Sequence, residues 1–142
     1  MTAGGKGLNQ SIAAARAGAN VVVTARRQEL IDQTADMVRG FGGKALAVSA
    51  DITDEDAFEG VVKRAVEEFG RLDIMVNNAG YTDRSGLRHD LGSMKRMRSI
   101  IELDLLATIN GCRLAGKQML AQGGGGVMIN ISSILGKVGS EF

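Results

Sequence analysis

The segment that most limits how this chain folds runs from Leu72 to Gly80. A mainly apolar run, Leu72-Asp73-Ile74-Met75-Val76, is closed by Asn77-Asn78-Ala79-Gly80. A short apolar run ending in two amides, a small residue and a glycine reads as a buried parallel strand with a turn at its carboxyl end. In open α/β sheets, ligands bind outside the carboxyl ends of the strands. Each Asn side chain brings one acceptor and two donors, so a tandem pair can tie neighbouring strands together and line a pocket. Taken alone, the tetrapeptide reads first as an Asn-rich turn with no ligand.

Other segments stand around it. They are Val22-Val23-Thr24-Ala25-Arg26-Arg27, Asp51-Ile52-Thr53-Asp54 and Ile129-Asn130-Ile131-Ser132-Ser133. Together with Gly70 to Gly80 they resemble, in order and near spacing, the short-chain dehydrogenase/reductase family. The resemblance covers nearly the whole chain. The Asn-Asn-Ala-Gly segment with its lead-in is its specific part. It implies an α/β fold, a Rossmann-like doubly wound parallel sheet, and nicotinamide chemistry.

The chain has 142 residues, enough for one domain and a good core. The expectation is a single dinucleotide-binding domain over 1–142. Net charge is +1, which gives no basic face for nucleic acid. No apolar run reaches the length of a membrane span, and no signal peptide is visible. Cys112 is the sole cysteine, so a disulfide framework and a cysteine metal cluster are excluded, and a reducing cytoplasm is the default.

Thr2-Ala3-Gly4-Gly5-Lys6-Gly7-Leu8-Asn9 reads as a phosphate loop, with a glycine-rich N-terminus as the bland alternative. Such loops work because glycine lets backbone N–H groups approach a pyrophosphate at a helix start. Thr2, Gly7 and Leu8 match the family pattern, whereas Ala3 and Asn9 stand where it has glycine. Gly4, Gly5, Gly7 and Leu8 are the candidate cofactor-binding residues here. The family places a central strand directly before this loop, and only Met1 and Thr2 precede Ala3. In the order 3-2-1-4-5-6, losing strand 1 leaves strands 2 and 4 without a shared neighbour. Their edges then carry unpaired backbone groups. The expected sheet is therefore incomplete, lacking its first strand and its C-terminal part.

Periodicity predicts a helix over 9–17 ended by Gly18, a strand over 19–24, and a helix presenting Leu30, Thr34, Met37, Val38 and Phe41. A strand over 44–50 follows. Thr53 is the expected cap of the next helix, with Asp54, Glu55 and Asp56 in its first turn. Its stripe is Ala57, Phe58, Val61, Val62, Ala65, Val66 and Phe69, and Gly70 stops it. The polar stretch 81–92 reads as loop. It holds His89, the only histidine, which is given no role. Tyr81, the only tyrosine, reads as pocket wall rather than acid. One long helix over 93–121 carries Met97, Ile101, Leu105, Thr108, Cys112, Ala115 and Met119 on one face. Gly111 and Gly116 within it call for close helix–helix packing. Cys112 reads as a small core residue. A turn over 123–126 leads to a strand over 127–131.

The resemblance assigns roles. Arg26, just past the second family strand, favours a 2′-phosphate over a free 2′-OH, hence NADP(H) over NAD(H). A solvated basic turn is the alternative. Asp51 borders the adenine, and Asn78, Ala79 and Gly80 line the nicotinamide side. Ser133 corresponds to the catalytic serine that binds a substrate carbonyl. Asp104-Leu105-Leu106-Ala107 falls where the family has a catalytic Asn in Asn-Leu-x-Gly. Ionised Asp only accepts hydrogen bonds, and a charge at a partly buried point is costly unless paired. No metal ligand set is expected.

The implied reaction is hydride transfer between NADP(H) and a small-molecule carbonyl or alcohol. The family's Tyr-x-x-x-Lys pair, the proton donor and its partner, falls beyond Phe142. The chain as written is therefore expected to be inactive. A homo-oligomer through helix 93–121 is the assembly to look for, and the alternative function is a non-catalytic remnant that holds a nucleotide or pairs with a full-length relative through the long helix.

Overall fold

The computed structural model describes residues 6–81 and 93–133. Helices and strands alternate: α1 (Lys6–Arg16), β1 (Val21–Ala25), α2 (Gln28–Gly40), β2 (Ala45–Ser49), α3 (Glu55–Phe69) and β3 (Ile74–Asn77). Then come α4 (Met94–Ile100), a π-helical segment (Ile101–Leu106), α5 (Ala107–Gln122) and β4 (Val127–Asn130). This is the alternation of an α/β protein with parallel strands.

The strands form two parallel pairs. β1 runs beside β2 with Val21 opposite Ala45, and β3 beside β4 with Ile74 opposite Val127. Among the described residues, nothing pairs β1 with β3. The separation is the one expected from the strand order for the second and fourth family strands. Helices cover the pairs unequally. Ala15 of α1 and Val38 of α2 pack on Val21 and Ala45 on one face. Phe58, Val61 and Val62 of α3 pack with Leu114 of α5 against Val22, Val48 and Met75 on the other. Neighbouring residues of a strand point to opposite faces, so Val21 and Val22 anchor the two layers.

Local chemistry sets the ends. Asp54, not Thr53, caps α3: its carboxylate accepts from the Ala57 N–H at 2.9 Å. Thr53 instead turns its hydroxyl onto Asp51. Gly70 ends α3 at φ +82°, the left-handed conformation that glycine adopts without a Cβ clash. α1 starts at Lys6, earlier than the periodicity indicates. In α2 the buried residues are Ile31, Thr34, Ala35 and Val38, while Met37 and Phe41 are exposed. The face that α2 buries is thus rotated from the expected one, with Ile31 and Ala35 in place of Met37 and Phe41.

The long helix also departs from its expected face. The wider π turn at Ile101–Leu106 breaks the regular spacing. Before and within it, Met97, Ile101 and Leu105 are exposed; beyond it, Gly111, Leu114, Ala115 and Met119 are buried. The apolar stripe read as continuous is two stripes out of phase. Gly111 lets α5 approach both α3 and β3 closely. A Cβ there would overlap Asn77 Oδ1 and come within 3.1 Å of Phe58 Cζ.

Candidate nucleotide cleft

Between the two strand pairs lies a cleft of about 1150 Å³. Every residue of β1 and of β3 lines it, and no residue of β2 or β4 does. Its walls are Leu8, Ser11 and Ala14 of α1 on one side and Phe58, Val61 and Ala65 of α3 on the other. At the carboxyl ends of the strands the cleft takes in Gly7, Leu8, Arg26, Asp51, Asn78, Ala79 and Gly80. The structure therefore brings seven expected cofactor-binding residues to one rim. Gly4, Gly5 and His89 lie outside the described residues.

Asp51 is the best-held charge at the rim. The Thr53 hydroxyl donates to Asp51 Oδ1 at 2.7 Å and the Thr53 N–H at 3.1 Å. These bonds stabilise the ionised form and hold the carboxyl below its ordinary range. The slight burial of Asp51 opposes this, and Arg26 adds a smaller Coulombic lowering. Arg26 Nη1 stands 3.9 Å from Asp51 Oδ2 with both side chains well exposed. Such a loose, solvated pair binds weakly, so the guanidinium can turn to an anion at little cost.

The tandem amides do different work. Asn77 is buried and donates to Asn130 Oδ1 at 2.8 Å, tying β3 to β4 through side chains. The Cys112 thiol sits beside this bond, 3.5 Å from both amides. Cys112 thus touches a polar cluster rather than an apolar core, which corrects its expected surroundings. Asn78 turns toward α1, with its Nδ2 3.5 Å from where a Cβ on Gly7 would stand. Its Oδ1 is buried without a hydrogen-bond partner, as is Thr24 Oγ1 of β1. Both residues line the cleft.

Asp104 is exposed, so its charge does not carry the burial penalty expected of it. Asp104 Oδ1 accepts from the Tyr81 N–H at 2.9 Å, holding the turn after β3 against the π-helical segment. Tyr81 itself lines the cleft, with Arg96 stacked 5.7 Å from its ring centre. Ser133 follows β4 and is exposed, outside the residues that line the cleft. Asn130 was missed from sequence. Its signal was the register that places it opposite Asn77, which appears only once β3 and β4 pair. No helix among the described residues is long and apolar enough to cross a membrane.

The sequence matches the short chain dehydrogenase family over residues 1–142. The chain belongs to that family. It is 40% identical over 111 residues to a cis-4-hydroxycyclohexanecarboxylate dehydrogenase from Sinomonas cyclohexanicum, covering 76% of this chain and 43% of that one. A solved short-chain dehydrogenase/reductase from Mycobacterium marinum superposes with a TM-score of 0.86 at 29% identity. That match covers 94% of this chain and 54% of the solved one. A 7α-hydroxysteroid dehydrogenase solved with NADH and 7-oxoglycochenodeoxycholic acid gives a TM-score of 0.82 at 30% identity, covering 98% and 54%. This short-chain dehydrogenase chain thus spans about half the length of the relatives it matches. Its Rossmann-like fold agrees with theirs.

Proposed function

We propose that these residues form the nucleotide-holding part, a single dinucleotide-binding domain, of an NADP(H)-dependent oxidoreductase acting on a carbonyl or alcohol. The supporting observation is the convergence of Gly7, Arg26, Asp51 and Asn78 on one rim at the carboxyl ends of parallel strands. The residues fit a dinucleotide. Arg26 offers a mobile guanidinium for a 2′-phosphate, and Asp51 is fixed by Thr53 beside it. Gly4, Gly5, Gly7 and Leu8 lead into α1, whose first turn offers backbone N–H groups to phosphate. Asn78, Ala79 and Gly80 line the nicotinamide side, and Asp104 keeps their turn in place through Tyr81. Ser133 orients the substrate oxygen.

The bound nicotinamide would supply the hydride; the chain binds, orients and shields. The only tyrosine in the sequence is Tyr81, and no Tyr-x-x-x-Lys occurs in it. A serine hydroxyl does not replace an activated phenol as acid near neutral pH. The 142 residues alone therefore hold nucleotide without turning it over. The exposed apolar side chains of Met97, Ile101 and Leu105 favour the accompanying reading that copies pair through this helix.

Calorimetric titration tests the cofactor choice. NADPH binds more tightly than NADH, and Arg26→Ala weakens NADPH by about 10- to 100-fold, the range of a charge-assisted contact. Equal losses for both nucleotides would show that Arg26 does not read the 2′-phosphate, and no loss would remove it from the site.

A further inference from the structure

The cleft holds a cation that cofactor binding does not call on. Among the charged side chains that line it, Arg26, Arg27 and Asp51 follow β1 and β2, and Arg71 and Asp73 precede β3. Arg96 and Glu102 come instead from the helical stretch that packs on the turn after β3. Arg96 is half-buried, and its Cζ lies 5.7 Å from the centre of the Tyr81 ring. Lys95 and Arg98 of the same helix do not line the cleft. Tyr81 directly follows Asn78-Ala79-Gly80, and Asp104 Oδ1 accepts from its N–H at 2.9 Å, so the residue that carries the ring is fixed through its backbone. β3 and β4 run parallel with Asn77 opposite Asn130. Tyr81 and Ser133 therefore leave the sheet at the same end. The carboxylates nearest this corner are Asp104, held by the Tyr81 N–H, and Glu102, which is exposed and also borders a smaller pocket with Glu55 and Arg113.

We infer that Arg96 selects a substrate bearing a carboxylate in addition to its reacting carbonyl or alcohol, an inference that rests on the nucleotide reading of this cleft. A guanidinium carries five N–H donors in one plane. An aromatic ring against its face orients the group and spends none of those donors. Stacking on Tyr81 thus leaves the edge of Arg96 to donate, and that planar fork matches the two oxygens of a carboxylate. Half-burial reduces screening by water, and a side chain already held in place loses less freedom when a ligand arrives. The corner has room for each part of such a molecule. The reacting carbon lies against Asn78, Ala79 and Gly80, its oxygen is turned to Ser133, the Tyr81 ring gives an apolar wall to the connecting carbons, and the carboxylate ends on Arg96. Arg26 sits at the end of the other strand pair and takes no part. The plainer role for Arg96 is packing on Tyr81 alone, in which case a charge on the substrate makes no difference.

The test is an NMR titration of the 142-residue chain at neutral pH with two probes, levulinate, a 4-oxo acid, and its methyl ester, which keeps the carbonyl and loses the charge. Nucleotide is left out, so failure here and failure of the cofactor reading are separate results. Levulinate shifts the Arg96 Nε–H and the Tyr81 amide saturably and binds at least about 10-fold more tightly than the ester. Arg96→Gln abolishes that preference. Arg96→Lys, which keeps the charge but not the fork, retains part of it. Arg26→Ala leaves it unchanged. Four results would overturn the proposal: levulinate does not bind saturably; acid and ester bind equally; the preference survives Arg96→Gln; or the shifts fall at Arg26 rather than Arg96.

Discussion

Two residues at the rim and in the core carry testable weight. Asp51 is held ionised by Thr53, so its folded pKa lies below its unfolded one. The stability this carboxylate contributes is present above the unfolded pKa and is lost as pH falls through the folded pKa. Thr53→Val removes the hydroxyl donor. The Asp51 carboxyl then titrates at higher pH by NMR, and the mutant loses stability relative to wild type at neutral pH but not in strong acid. An unchanged titration would show that the hydroxyl bond is not made in solution. Gly111 sits where a Cβ would overlap Asn77 Oδ1. Alanine normally gains about 1 kcal/mol over glycine inside a helix. Here the Asn77 amide is fixed by Asn130 and cannot yield, so overpacking dominates. Gly111→Ala lowers stability by about 1–3 kcal/mol in a urea melt. Gly60 in α3 is the control: nothing lies within 4 Å of its added Cβ, and Gly60→Ala gains about 1 kcal/mol.

Elements are joined here by side chains as well as by backbone. Gln122 at the end of α5 accepts from the Leu72 N–H at 3.0 Å and donates to the Leu72 C=O at 2.7 Å. It pairs with the lead-in to β3 as a strand would. Gln122→Ala breaks both bonds and costs about 1–2 kcal/mol, read as an earlier urea midpoint at unchanged slope. Which elements exist was legible from apolar spacing and from glycine stops such as Gly70. Which face they bury was less so. The π turn at Ile101–Leu106 has no signal in hydrophobic spacing, so one continuous stripe is expected from sequence, whereas Met97, Ile101 and Leu105 are exposed and Leu114, Ala115 and Met119 are buried. The cap of α3 fell on Asp54 because Thr53 had a better acceptor in Asp51.

At the scale of the molecule, strand order was the most informative reading. It anticipated that the second and fourth family strands would stand apart, and β1 and β3 do. Rim residues were legible because they sit at strand ends, where sequence marks a turn. The bond between Asn77 and Asn130 was not, since it depends on a pairing across 53 positions. The whole account rests on Arg26, Asp51 and Asn78 acting as one nucleotide rim. Amide chemical-shift mapping of the 142-residue chain with NADPH tests that most directly. The account predicts saturable shifts clustered at Gly7, Arg26, Asp51, Asn78 and Gly80. Shifts confined to the exposed face of β4, or none at saturating nucleotide, would contradict it.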